Sequence, residues 1–102
     1  MEIDTIIGIH TLIQRNESRY LANKIGEEMV IMDMETGDFL TMNAVGAEIW
    51  ELSEQPVTVE SLVEKMLTVY DLSANQCIDD TIGFLQKSTQ QKLFSIHNSI
   101  AA

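Results

Sequence analysis

Apolar and polar positions change rhythm once along this chain, near Asn43. Before it, short apolar segments are separated by turn-forming clusters. Tyr20–Ile25 and Glu28–Met34 flank Gly26-Glu27, a polar connection suited to a hairpin because Gly takes positive φ freely. Glu35-Thr36-Gly37-Asp38 then separates them from Phe39–Met42. The middle segment is apolar at Met29, Val30, Ile31 and Met32, the pattern of a strand at least partly covered on both faces. These segments predict a three-stranded antiparallel meander. Thr11–Arg15 reads as a short extended piece upstream, set off by the polar break Asn16-Glu17-Ser18.

After Asn43 the apolar residues recur at helical spacing. Asn43 is placed to cap a first helix with Val45, Ile49 and Leu52 on one stripe and Trp50 beside it. Thr58 is placed to cap a second, on which Val59, Leu62, Val63, Met66, Leu67 and Tyr70 repeat. A third opens at the capping box Ser73-Ala74-Asn75-Gln76. Its apolar face is wide: Ile78, Ile82 and Leu85 form one stripe, and Cys77, Thr81 and Phe84 a second. One stripe seats a helix on a small core; the other either completes that core or covers a groove. Leu93-Phe94-Ser95-Ile96 is expected to pack back onto the domain. The expected fold is α+β and winged-helix-like, a three-stranded antiparallel sheet followed by three helices. It forms one domain over residues 1–102, with 1–12 an N-terminal extension and 95–102 a C-terminal tail.

Composition narrows the partners. Sixteen acidic residues against six basic ones give a formal charge of −10, which repels nucleic acid and anionic membranes and suits a protein or a peptide carrying positive charge. Solubility alone is the plainer use of such a surface. No apolar run approaches the roughly 18–20 residues of a membrane span. The opening MEIDTIIGIHT lacks the basic start of a secretory signal. The single Cys77 cannot form an internal disulfide, and a reducing cytoplasm is the expected location.

Catalytic chemistry does not assemble. His10 and His97 lie at opposite ends of the chain, and Cys77 has no His near it in sequence. The acids of Asp33–Asp38 miss a calcium loop, because Asp38 stands where the loop needs Gly and Ala44 where it needs a bidentate Glu. No phosphate-binding Gly-rich loop and no zinc-ligand spacing occur. Neither an enzymatic role nor a cofactor or metal is expected.

The border of the meander is more informative. Phe39-Leu40-Thr41-Met42 carries neither Lys nor Pro, the residues that commonly blunt an exposed strand edge. An open edge accepts an extended peptide as a further strand, with backbone bonds giving affinity and alternate side-chain pockets giving selectivity. Four of the six methionines, Met29, Met32, Met34 and Met42, lie in this half of the chain, and Met adapts to variable apolar partners.

The residues also resemble a family. Arg19-Tyr20-Leu21-Ala22, Gly26-Glu27, Val30-Ile31-Met32-Asp33, Thr36-Gly37, Met42-Asn43 and Gly46-Ala47-Glu48-Ile49-Trp50-Glu51-Leu52 stand in the order and spacing of PqqD-like proteins. Thr58-Val59-Glu60-Ser61-Leu62, Tyr70-Asp71 and Asp80 extend the match, which spans roughly Ile13 to Phe94. The resemblance implies a leader-peptide recognition element of pathways that modify ribosomally made peptides. Such domains bind a precursor's leader between the third strand and third helix, and deliver it to a radical SAM enzyme or a leader protease. Carried onto this chain, the cleft would be lined by Asp38, Phe39, Leu40 and Thr41 on the strand and by Cys77, Asp80, Thr81 and Phe84 on the helix. The family brings no catalytic residue and no cofactor. A chain of this length resembles the leader-binding proteins of lasso-peptide clusters more than the pyrroloquinoline quinone protein. Two departures stand out: Ser88 replaces a usual Leu, and Lys92 replaces the Gly that would stop the third helix, so the sequence leaves open whether that helix runs past Lys92.

Two other roles remain compatible with this pattern. A winged-helix transcription regulator would need basic residues on its third helix, which instead carries Asp79-Asp80 and, before Lys92, only Lys87. A homodimeric interaction module would pair the open edge with its own copy.

Overall fold

The computed structural model describes residues 7–97; the acidic start of the N-terminal extension and the end of the C-terminal tail lie outside them. Nine elements follow in order. They are β1 (Leu12–Arg15), β2 (Tyr20–Ile25), β3 (Glu28–Asp33), β4 (Phe39–Met42), α1 (Ala44–Leu52), β5 (Val57–Thr58), α2 (Val59–Leu67), α3 (Ala74–Gln90) and β6 (Phe94–His97). The fold is α+β, and the meander precedes the helices as the sequence predicts.

The meander forms one sheet in the order β2-β3-β4. Gly26 takes φ 64° and Gly37 φ 80°, so both turns use the left-handed freedom that glycine supplies. Register follows from the first turn: Ile25 faces Glu28, and counting outward places Leu21 against Met32 and Tyr20 against Asp33. Met32 in turn faces Phe39, and Met29 faces Met42. Tyr20, Met29, Ile31 and Met42 are buried toward the helices, whereas Leu21, Ile25 and Phe39 are exposed.

A second sheet was only half legible. The upstream piece and the tail pair with each other, Leu12 against His97 through Arg15 against Phe94. The two-residue β5 adds on the other side, with Leu12 opposite Thr58 and Ile13 opposite Val57. The extension and tail thus close into one sheet of order β5-β1-β6. Thr58, readable as a helix cap, is also the end of a strand.

Each helix starts where its cap was expected. Asn43 Oδ1 accepts from the Gly46 N–H at 2.9 Å, Thr58 Oγ1 from Ser61 at 3.1 Å and Ser73 Oγ from Gln76 at 3.2 Å. A cap of this kind contributes about 1 kcal/mol. The end of α3, open from the sequence, falls before Lys92. The helix stops at Gln90, and Lys92 itself adopts φ 62°. Its N–H donates to the Thr89 carbonyl at 3.0 Å and that of Leu93 to Ser88 at 3.1 Å, the paired bonds of a Schellman stop. Lys takes the left-handed position because tertiary bonds hold it: Asn16 Nδ2 donates to the Lys92 carbonyl at 2.8 Å, and the Asn16 N–H to Leu93 at 2.9 Å. Burial of Leu93 and Phe94 fixes the exit.

The core joins both sheets. Ile13 from β1, Ile31 from β3, Ile49 from α1, Leu62 and Met66 from α2 and Leu85 from α3 are fully buried, each stabilising by about 1.5–3 kcal/mol through burial. Phe94 stacks edge-on against Trp50, with centroids 5.6 Å apart, and against Phe84 at 5.9 Å. This aromatic chain ties the tail to α1 and α3.

Candidate functional site

Among the described residues β4 pairs with β3 alone. The N-terminal strand that might have covered its outer border is engaged in the other sheet. Leu40 and Met42 of β4 point toward the helices, and Phe39 and Thr41 point away. Beside the inner pair stands α3. The Phe84 ring lies so close to α1 that a Cβ on Gly46 would meet its Cε1 at 3.2 Å and the Met42 Cβ at 3.3 Å. Gly46 therefore lets Phe84 settle, half-buried, between α1 and the end of β4.

At the other end of β4, Leu40 and Asp38 share a cavity of about 230 Å³ with Arg19, Tyr20, Asp33 and Gln91. The Tyr20 hydroxyl donates to the Gln91 carbonyl at 2.5 Å and so ties β2 to the end of α3. Arg19 grips Asp33 with two bonds, Nε at 3.0 Å and Nη2 at 2.9 Å. Asp33 also accepts from the Glu35 N–H at 3.0 Å. Its own N–H donates to the Asp38 carbonyl at 2.8 Å, while its carbonyl accepts from Gly37 at 2.7 Å. Asp33 is thus the pin of the turn that launches β4. The bond from Arg19 is the main cause holding its carboxyl down to about 2, and the same bond raises the Arg19 guanidinium. Burial pushes the Tyr20 hydroxyl up.

The expected lining residues divide. Leu40 and Asp38 line the cavity at one end of β4, Phe84 lies against Gly46 at the other end beside Met42, and Asp80 is exposed on α3. Phe39 and Thr41 are exposed on the opposite face of the sheet. Cys77 and Thr81, which the resemblance puts in the cleft, are each 1% exposed, and the Thr81 hydroxyl lies 4.0 Å from the Met66 sulfur. They belong to the stripe Cys77, Thr81, Leu85 and Ser88 that seats α3 on the core. In the molecule as it stands they offer no surface to a guest. The half-buried Ile78, Ile82 and Phe84 are the residues left beside that stripe. Small side chains at 77, 81 and 88 suit the buried face, and the Ser88 hydroxyl is satisfied by the Phe84 carbonyl at 2.7 Å.

Arg19, Tyr20, Asp33, Gly46 and Gln91 were not singled out as site residues. Counting back from the Gly26-Glu27 turn sets Tyr20 against Asp33 and Arg19 just beyond, so the ion pair was accessible from register. The approach of Gly46 to Phe84, 38 positions later, carried no local signal.

The opposite border of the meander is different. A groove of about 420 Å³ beside β2 is lined by Arg15, Lys24, Trp50 and Glu51 among others. Lys24 reaches across to Glu51 at 3.1 Å. A strand edge bearing Lys is blunted in the usual way, and β4 has no such guard. Among the described residues no His, Cys, Asp or Glu cluster could hold a metal, and no helix is long and apolar enough to cross a membrane.

TbiB1, solved in complex with the TbiA(beta) leader peptide, has a similar fold, with a TM-score of 0.72. Sequence identity is 23%, and the match covers 80% of this chain and 94% of that one. A likeness at this identity establishes the fold. No curated protein matches the chain. The family described as coenzyme PQQ synthesis protein D (PqqD) matches residues 28–93, which include β3, β4 and all three helices. The chain belongs to the PqqD family.

Proposed function

We propose that this protein binds the leader segment of a ribosomally made precursor peptide as an added strand on β4, without catalysing a reaction itself. It then presents the precursor to a modifying enzyme, such as a radical SAM enzyme or a leader protease, in the cytoplasm. The observation that carries this reading is the outer border of β4, which has no strand partner among the described residues and ends beside Phe84. Membership of the PqqD family and a fold shared with a protein solved with a leader peptide support it. A net charge of −10 favours guests with basic residues. The lasso-peptide setting is the narrower form of the proposal.

The test is calorimetric titration of the whole chain with the leader of a precursor encoded beside its gene. Saturable binding at micromolar concentration or tighter is expected, lost on Phe84→Glu. A leader that fails to bind at those concentrations overturns the proposal. Sedimentation at several concentrations decides whether β4 pairs with a second copy instead, since a monomer leaves it available.

A further inference from the structure

The face of the meander turned away from the helices carries an apolar row that ends at the open border. Leu21, Met32 and Phe39 lie side by side across β2, β3 and β4. Leu21 is 58% and Phe39 67% exposed. The next row along the strands is Asn23, Val30 and Thr41, and its border residue is polar.

We infer that Phe39 selects the guest: the peptide residue directly opposite it on the solvent face is large and apolar, whereas the one opposite Thr41 is not restricted. The inference rests on strand addition at β4. An added strand must continue both rows, because side chains directly opposite in neighbouring strands sit about 4.5–5.5 Å apart. A large apolar guest residue beside Phe39 covers an otherwise exposed ring and lengthens the Leu21–Met32–Phe39 row by one member. Beside Thr41 no comparable surface exists to be covered. The residues next to the Phe39 partner in the guest point the other way, toward Leu40 and α3, where apolar groups are also favoured. The guest is therefore apolar on consecutive positions at this point rather than simply alternating. Strand direction does not affect the result, since the Phe39 and Thr41 partners are two residues apart in either orientation.

Selection of displayed random 12-residue peptides on the full chain tests this. Parallel selections use Phe39→Thr, Thr41→Val and Leu40→Ala, with folding of each checked by circular dichroism. The position that responds to Leu40→Ala marks the cleft-facing residue. A bulky apolar preference is expected one step from it, lost with Phe39→Thr and unaffected by Thr41→Val. In a double-substitution cycle between Phe39→Thr and Thr at that peptide position, coupling of about two- to fivefold in Kd is expected. An unchanged preference, or no coupling, while Phe84→Glu still removes binding, overturns the role of Phe39 and leaves the cleft standing. Absence of any enriched peptide on the unaltered chain overturns both.

Discussion

The two sheets of this protein do different work, although each has three strands. In the β5-β1-β6 sheet, partners come from distant parts of the chain: Arg15 pairs with Phe94 and Leu12 with Thr58. Ile13, in the central strand, has no exposed surface. This sheet gathers the two ends of the described chain and fixes where α2 begins and α3 ends. In the β2-β3-β4 sheet, pairing is local and made by two glycine turns, and among the described residues the last strand has one side unpartnered. A closing sheet gains by burying every strand. For the proposed strand addition, the second sheet must keep one border open and yet hold it in a fixed shape. Here the Arg19–Asp33 pair and the bond from Tyr20 to Gln91 supply that shape from behind.

The comparison predicts that damage to the first sheet destroys the fold, whereas damage to the second removes binding. Phe94→Ala takes away the ring joining Trp50 to Phe84 and should cost about 3–5 kcal/mol in urea unfolding. A loss below about 1 kcal/mol would show that the terminal sheet does not clasp the domain. Phe84→Glu should weaken leader binding about tenfold or more, roughly 1.4 kcal/mol, in a protein that still unfolds cooperatively. Unchanged affinity would remove Phe84 from the site.

Asp33→Asn probes how the turn before β4 is held. The folded carboxyl titrates at about 2, below its ordinary 3.8, so it stabilises the fold at neutral pH. That contribution is complete above about pH 4 and disappears as pH falls toward 2. The urea midpoint of the unaltered protein should therefore drop through this window more than that of Asp33→Asn. Parallel curves would show that the pair does not anchor the turn.

Lys92→Gly should raise stability by about 0.5–1 kcal/mol, because Gly takes the left-handed conformation without the strain of a Cβ and only part of that gain is lost as chain entropy. Phe39→Thr is the smallest effect on folding, within about 0.5 kcal/mol, because Phe39 supports nothing beneath it. A large destabilisation there would mean that the outer face helps to hold the sheet.

Legibility followed the range of the interaction. Both turns, the three caps and the order of the meander and the three helices were readable, since each depends on residues a few positions apart. The border of β4 was readable for the same reason: a strand lacking Lys and Pro shows itself locally. On α3 two stripes one residue apart both look apolar, and the backbone spacing alone does not say which one meets the core. Cys77 and Thr81, which the resemblance puts in the cleft, are buried.

The sequence by itself determined the meander, its register and its unguarded last strand, because period, turn chemistry and edge residues act within a hairpin. Tertiary structure alone decided how the terminal strands pair, which stripe of α3 is buried, and that Lys92 ends the helix where Gly was expected. Each of these depends on surfaces brought together from distant positions: Asn16 holding Lys92, Phe94 filling the space between Trp50 and Phe84, and Gly46 letting that last ring approach β4.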